Sequence, residues 1–322
     1  MTLRVARDDM KIPDATRDRA RASLAGLLVG DALGSQVEFC HPASIQRRYP
    51  SGVRHMAASP VWDTLPGQPT DDGEMALALA RSMVVRGTYD PQAVWKAYQA
   101  WGNSGPFDMG GTIRAALMGR PNPTSEANGA MMRAGPLALP VGGASVARRE
   151  AWAGADAQLT HPSPVCVAAN IFYVGLVARG VDGHSVGDLA AFARQWASQP
   201  ECPPPLRRTV QLSFDAPPAD FLTHAGHVLV ALQNALWHLW QQDLPAEALV
   251  VTVGEGGDSD TNAAILGALL GAVHGLAAWP KDWLGTVLTC RPAQGDARTA
   301  RPRPTSCWPV DCLDLADALV GK

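Results

Sequence analysis

Three glycines spaced four residues apart, Gly26, Gly30 and Gly34, constrain the fold of this chain more than any other feature of its sequence. They lie in an apolar segment with helical spacing, which predicts a helix from about Thr16 to Leu33. Residues four apart share one face of a helix. Because that face carries no side chains, a second helix can approach it closely.

Helical patterns recur along the chain, and no convincing run of alternating apolar and polar residues indicates strands. Hydrophobic residues make up 47% of the chain and charged residues only 18%, which favours a compact globule over disorder. We therefore predict an all-α fold, an orthogonal helical bundle formed as a single domain by residues 1–322. Within it, residues 1–15 are predicted to be flexible, and the prolines and glycines of three segments predict surface loops at 41–69, 199–220 and 291–306. A helix is predicted at 222–241.

Charge and cysteine usage exclude several classes of partner. A net charge of −3 gives no general reason to bind nucleic acid or a membrane surface. The six cysteines contain no Cys-x-x-Cys pair, so a zinc site is not expected. Residues 1–22 lack the apolar core of a signal peptide, which favours a cytoplasmic protein. The apolar run 263–279 is the only candidate membrane span that we identify, and it is short for a bilayer, so we predict a buried central helix.

Two groups of carboxylates and hydroxyls precede predicted helices. One follows a glycine-rich loop and contains Asp258, Asp260 and Thr261, and the other is Thr70-Asp71-Asp72. Asp258 and Asp260 do not share a helix face, so they can converge only if the loop carries them. Ordinary helix capping is one interpretation of both groups, and Glu74 has the spacing of a capping box with the second. A site for hard divalent cations is the other, because such ions prefer oxygen ligands and would offset the repulsion between carboxylates.

Other candidate residues lie at the ends of predicted helices. Asp31 and Glu38 lie at or just beyond the end of the first apolar helix, where a carboxylate in apolar surroundings needs a partner or a metal. Glycine-flexible helix starts at 110–112 and 128–136 could present backbone amides to an anion, and Arg133 could add a phosphate contact or be an ordinary exposed arginine. His161 is more simply explained as a structural or exposed histidine.

Together, Gly30-Asp31-Ala32-Leu33-Gly34 with Glu38, the Thr70 group and Gly257-Asp258-Ser259-Asp260-Thr261-Asn262 resemble the ADP-ribosylglycohydrolase family. This family includes dinitrogenase reductase-activating glycohydrolase and the ADP-ribosylarginine hydrolases. The resemblance extends from about Ala22 to Leu319. It implies one all-α domain with a binuclear Mg²⁺ or Mn²⁺ centre in a central cleft.

The resemblance also implies roles for individual residues. The implied metal ligands are Thr70, Asp71, Asp72, Asp258, Asp260, Thr261 and Glu38. The implied substrate-binding residues are Asn128, Gly129, Met132, Arg133, His161, Gly110, Gly111 and Thr112. The catalytic candidates are Asp71, Glu38 and Asp72. Two positions depart from the family pattern: Gly73 stands where a polar residue, often threonine, is common, and Ser259 replaces a threonine.

The implied function is metal-dependent hydrolysis that frees ADP-ribose from a modified protein, with arginine as the first acceptor to test. Serine-linked, O-acetyl- and poly-ADP-ribose are alternatives within the family. A binding module, such as an immunity protein that blocks an ADP-ribosyltransferase toxin, is an alternative of another class. A helical scaffold without a site is a third, and it should tolerate neutralisation of every acidic group.

Overall fold

The protein, described by a computed structural model over residues 13–321, folds almost entirely into helices. Within those residues the only β-type pairing is one isolated antiparallel bridge between Ala127 and His227, which confirms the all-α prediction. The α-helices of the described chain are α1 (Asp14–Gly34), α2 (Pro42–Arg48), α3 (Asp71–Arg86), α4 (Pro91–Asn103), α5 (Gly111–Leu117), α6 (Val146–Thr160), α7 (Pro164–Asp182), α8 (Val186–Ala197), α9 (Pro204–Leu212), α10 (Val228–Gln241), α11 (Pro245–Gly254), α12 (Ser259–His274), α13 (Lys281–Thr289) and α14 (Cys312–Val320). Short 3₁₀ turns lie at Gly135–Ala138, Val141–Gly143, Leu276–Ala278, Thr305–Cys307 and Pro309–Asp311.

The centre of the fold is the contact between α1 and α12. A Cβ atom added at Gly30 would lie 2.1 Å from the carbonyl oxygen of Ala263, and one added at Gly26 would lie 2.4 Å from that of Gly267. At Gly34 the added atom would lie 2.4 Å from the Cα of Asp260. The backbones therefore touch without intervening side chains, as the glycine spacing predicted. Because the partner numbers fall as the α1 numbers rise, the helices are antiparallel, and the end of α1 meets the start of α12.

Other helices enclose this pair and form a hydrophobic core that is continuous through α1, α3, α7, α10 and α12. Helix α7 is long and apolar enough to cross a membrane by length and composition alone, a property that we had assigned to the run 263–279. In the structure α7 is a core helix, with 72% of its most apolar window buried. The run 263–279 is interior only as far as Ala272, since α12 is buried from Ser259 to Ala272 and His274 and Ala277 are exposed.

Three predicted boundaries are wrong. Helix α9 lies inside the predicted loop 199–220, and α2 lies inside the predicted loop 41–69. Both begin with proline, which is compatible with the first helical turn because the N–H groups there need no partner in the helix. Helix α10 begins at Val228 rather than Leu222, because the backbone before it turns at Gly226 with a φ of 79°.

The two predicted irregular segments also differ from expectation. Of the predicted flexible segment, Asp14 and Ala15 belong to α1 and Pro13 is its N-cap, whereas residues 1–12 lie outside the described chain. The segment 291–306 runs over the surface as predicted, but one of its side chains, Arg303, is only 5% exposed. It forms a buried ion pair with Glu74 in the first turn of α3.

The helix contact leads to a test of stability. Gly30→Ala should lower the free energy of unfolding by about 1–3 kcal/mol or more, because the methyl group overlaps the α12 backbone. Gly285→Ala is the matched control: this helical glycine has no atom within 4 Å of an added Cβ, so the change should be neutral or stabilise by up to about 1 kcal/mol. Urea unfolding measures both, and equal effects of the two substitutions would contradict the proposed packing.

Candidate metal centre

Seven carboxylates converge where the end of α1 meets the starts of α3 and α12. They come from the last turns of α1 and the loop after it, from the first turn of α3, from the loop before α5 and from the start of α12. The seven residues are Asp31, Glu38, Asp71, Asp72, Asp108, Asp258 and Asp260. All except Asp108 are at most 8% exposed.

Asp258 and Asp260 converge because they stand on different kinds of backbone. Asp258 is the N-cap of α12, with φ −81° and ψ 65°, whereas Asp260 lies in the first helical turn. With Glu38 they form a group whose nearest carboxylate oxygens all lie within 4.8 Å of one another. Asp258 therefore stands on loop backbone as predicted, whereas Asp260 is carried by the helix, so the prediction that the loop carries both residues is only half right.

A second group of carboxylates shares Asp260 with the first. Its other members are Asp31 and Asp72, again with oxygens within 4.8 Å of one another. Asp31 is anchored by neutral donors: it accepts bonds from the Thr70 hydroxyl at 2.8 Å and from the backbone N–H of Gly73 at 2.9 Å. The hydroxyl of Thr261 donates to Asp72 over 3.3 Å. The predicted ligands Thr70 and Thr261 thus line the acidic groups.

The start of α3 is not held by a capping box. Thr70 is its N-cap residue but makes no side-chain capping bond, since its hydroxyl turns to Asp31. Glu74 instead accepts two bonds from Arg303, each of 2.7 Å, and one from the indole N–H of Trp101. The capping interpretation of this sequence is therefore wrong, and the first turn of α3 is tied to the distant segment that contains Arg303.

These charges are not compensated by any cation of residues 13–321. Among residues 13–321, no lysine, arginine or histidine forms an ion pair with any of the seven carboxylates. Burial, together with repulsion between neighbours, therefore raises the pKa of Asp72 and Asp260 well above the ordinary value. Burial raises the pKa of Asp31 to about 7, even though its hydrogen bonds act in the opposite direction. A set of this kind favours bound cations or bound protons.

The donor atoms fit a metal better than they fit any protein partner. Oδ1 of Asp72 is buried and has no hydrogen-bond partner within the described chain. Each of the two carboxylate groups offers three oxygens at the mutual distances of a coordination shell, and oxygen-only ligands suit hard divalent ions. These buried groups could therefore hold metal.

Two further contacts fix the outer carboxylates. The indole N–H of Trp62 donates to Glu38 over 2.5 Å, and the Trp62 ring packs between those of Phe39 and Phe107. Asp108 lies beside Asp71, and after burial its charge is the largest cause that raises the pKa of Asp71 well above the ordinary value. Burial, followed by the charge of Asp260, raises the pKa of Asp108 to about 7.

A cavity of about 230 Å³ opens directly onto the acidic groups. Glu38, Asp71, Asp258, Asp260 and Thr261 form one side of it, whereas Thr70 and Asp72 lie behind this wall. The cavity is also lined by seven of the eight predicted substrate-binding residues, namely Gly110, Gly111, Thr112, Asn128, Gly129, Met132 and His161.

Arg133, the eighth predicted contact, does not line the cavity. Its side chain is fully buried, pairs with Asp156 at 3.0 Å and stacks on Tyr98. A guanidinium enclosed in this way cannot reach a diphosphate in the cavity, so the predicted phosphate contact is wrong. Two other predicted substrate-binding residues contact the carboxylates directly: the side-chain amide of Asn128 donates to Asp258, and the backbone N–H of Gly110 donates to Asp71.

Two acidic residues of the site were not predicted from the sequence. The structure also explains the two positions, Gly73 and Ser259, that depart from the family pattern. Asp31 had been noted as a carboxylate in need of a partner, and Asp108 precedes the glycines of the 110–112 loop, but neither was assigned a role. At Gly73 an added Cβ would lie 2.6 Å from Asp31 Oδ2, so in this structure a side chain there would have to displace the neighbouring side chains. The Ser259 hydroxyl donates to the carbonyl of Gly34 and so joins α12 to α1.

Comparison with known proteins agrees with this geometry. Residues 12–308 match the ADP-ribosylglycohydrolase family. The chain is 32% identical over 280 residues to ADP-ribosyl-[dinitrogen reductase] glycohydrolase of Rhodospirillum rubrum, covering 84% of this chain and 90% of the relative. It is 27% identical over 294 residues to ADP-ribosylarginine hydrolase Tri1 of Serratia proteamaculans, covering 85% and 76%.

A solved structure described as an ADP-ribosylglycohydrolase-related protein complex has the same fold. It aligns with a TM-score of 0.77 and 27% identity, over 96% of this chain and 99% of that one. The match of residues 12–308 includes every carboxylate of the site. This chain belongs to the ADP-ribosylglycohydrolase family of hydrolases.

Proposed function

We propose that this protein is a metal-dependent hydrolase that removes ADP-ribose from modified arginine side chains of proteins. The observation that carries the proposal is the convergence of the carboxylates on one cavity without a protein cation. Because the two carboxylate groups share Asp260, two adjacent Mg²⁺ or Mn²⁺ ions fit them. Bound there, such ions would polarise the vicinal hydroxyls of a ribose and make a nearby water more acidic.

Arginine is the acceptor that the relatives and the charge of the cavity favour. One relative is named for ADP-ribosylated dinitrogen reductase, and another is named as an ADP-ribosylarginine hydrolase. A guanidine leaves most readily as a protonated, cationic group. The carboxylates outnumber the charges of two divalent ions, so the cavity keeps a negative field that stabilises a departing cation.

Proton transfer is assigned to the neighbouring carboxyl groups of Asp71 and Asp108. Both side chains line the cavity, and the repulsion between two adjacent carboxylates favours a proton on one of them. The pair can give a proton to the departing guanidine nitrogen and receive one from the attacking water. The bond from C1″ of the ribose to nitrogen breaks, and the water oxygen bonds to C1″. Asp72 does not line the cavity, and Glu38 accepts a hydrogen bond from the Trp62 indole, so both are less suited to this step.

The function is tested by release of free ADP-ribose from arginine-ADP-ribosylated protein with Mg²⁺, with Mn²⁺ and with EDTA. We expect release with either ion and its loss in EDTA. A serine-linked substrate runs in parallel. Release from serine alone would overturn the acceptor but keep the reaction class, whereas metal binding without release from either substrate would favour a binding module.

The metal site is tested at the carboxylate that both groups share. Asp260→Asn should abolish detectable turnover and remove most bound metal, because both groups lose a ligand. Asp215→Asn is the control, since this aspartate lies on an exposed surface away from the cavity. Metal content after dialysis and turnover are measured on all three proteins. A fully active, metal-loaded Asp260→Asn protein would rule out the proposed site.

The acidic groups also predict a pH dependence of the metal-free protein. The pKa of Asp31 is raised to about 7, so the folded state keeps a proton that the unfolded chain releases above about pH 4. This contribution to stability is complete at low pH and is lost as the pH rises towards 7. His161 acts in the opposite direction, because burial lowers its pKa to about 3. The difference in stability between wild type and Asp31→Asn therefore reports the Asp31 carboxylate, because His161 is present in both proteins.

Thermal unfolding in EDTA at pH 5 and pH 7.5 measures the effect. Wild type should lose more stability over this range than Asp31→Asn, by on the order of 2 kcal/mol. Excess Mg²⁺ should restore the wild type at pH 7.5 and have less effect at pH 5, where protons compete with the metal. Identical pH profiles of the two proteins would contradict the raised pKa.

A further inference from the structure

His161 presents an unpaired nitrogen to the cavity. The residue is fully buried, and its Nε2 has no hydrogen-bond partner within the described chain. It nevertheless lines the cavity beside Gly129, where an added Cβ would lie 3.2 Å from Nε2. Because Gly129 has no side chain, the space beside this nitrogen is not filled from that side. A buried polar atom in such a place indicates a ligand partner.

The other ring nitrogen is held by Thr160. The Thr160 hydroxyl lies 2.8 Å from Nδ1 of His161. The same oxygen accepts a bond from Nη2 of Arg133 at 2.9 Å. Since no other acceptor of the Thr160 hydroxyl is present in the described chain, its hydrogen points to Nδ1. A neutral imidazole that accepts at Nδ1 carries its proton at Nε2.

Arg133 fixes the direction of this relay. Its guanidinium can only donate hydrogen bonds, so Thr160 accepts from it, and the hydrogen of the Thr160 hydroxyl stays free to be donated to Nδ1 of His161. Asp156 holds the guanidinium through Nε, Tyr98 stacks on it at 4.5 Å, and the carbonyl of Gly129 accepts from Nη1 at 3.1 Å. One buried arginine therefore positions both the histidine relay and the adjacent cavity wall.

We propose that Arg133 and Thr160 are positioning residues that fix His161 in its Nε2–H tautomer, as a donor to an oxygen acceptor of the bound ligand. The acceptor would be a phosphate or hydroxyl oxygen lying against Gly129. The proposal rests on the proposed function for the identity of its ligand, ADP-ribose. Burial and the nearby Arg133 charge lower the pKa of His161 to about 3, so the ring stays neutral and the donor is maintained at physiological pH.

The tautomer is tested directly by long-range ¹H–¹⁵N correlation on the full chain labelled at histidine. In the wild type we expect the Nε2–H form of His161, and its Nε2 resonance should shift when ADP-ribose is added. Thr160→Val removes the hydroxyl at similar volume and should give a tautomer mixture, while Thr160→Ser should restore the wild-type form. An Nδ1–H form in the wild type would overturn the proposal, even if Thr160→Val failed to fold.

Binding of ADP-ribose gives the second readout. Thr160→Val should weaken its affinity about five- to tenfold, as expected for one hydrogen bond, and Thr160→Ser should not. Thr289→Val, which removes a hydroxyl bonded only to backbone on the exposed α13, is the control. Unchanged affinity in Thr160→Val would overturn the proposal on His161 but leave the proposed function intact. Failure of the wild type to bind ADP-ribose would overturn the proposed function and, with it, the ligand named here.

Discussion

The contact between the backbones of α1 and α12 is the constraint on which the rest of the structure depends. Glycine at the crossing allows an approach that any side chain would prevent. The antiparallel arrangement then sets which residues meet at the end of the pair: Asp31 in the last turns of α1 and Asp260 in the first turn of α12. Helix α3 adds Asp72 to the same point. The geometry of the acidic site is therefore a consequence of helix packing.

This scaffold holds together charges that repel each other. Hydroxyls, backbone N–H groups and amides surround the carboxylates, and they orient the oxygens without neutralising them. Two buried ion pairs lie near the site, but neither of them includes one of its seven carboxylates. Arg133 pairs with Asp156, and Arg303 pairs with Glu74. None of these four residues lines the cavity. The protein thus keeps its own cations away from the cavity and leaves the carboxylates available for metal.

Periodicity and composition predicted the all-α class, the first helix and the close approach at Gly26, Gly30 and Gly34. The two acidic groups were also visible, because they stand at helix starts within short segments. Side-chain direction was not visible: Arg133 belongs to a segment that lines the cavity, yet its guanidinium turns inward to Asp156. Asp108 and Trp62 were missed for a related reason. Their roles come from contacts with Asp71 and Glu38, which are distant in sequence.

The ion pair between Glu74 and Arg303 joins positions that are 229 residues apart. Glu74 lies in the first turn of α3, the same turn that supplies Asp71 and Asp72 to the acidic site. A ribosome therefore completes α1, α3 and α12, with every carboxylate of the site, before it reaches the arginine that allows this turn to be buried. Without Arg303, the charge of Glu74 would be buried with only the Trp101 indole as a donor, and removing one partner of a buried ion pair is strongly unfavourable. Stable burial of the acidic turn therefore depends on a segment that is made after every carboxylate of the site.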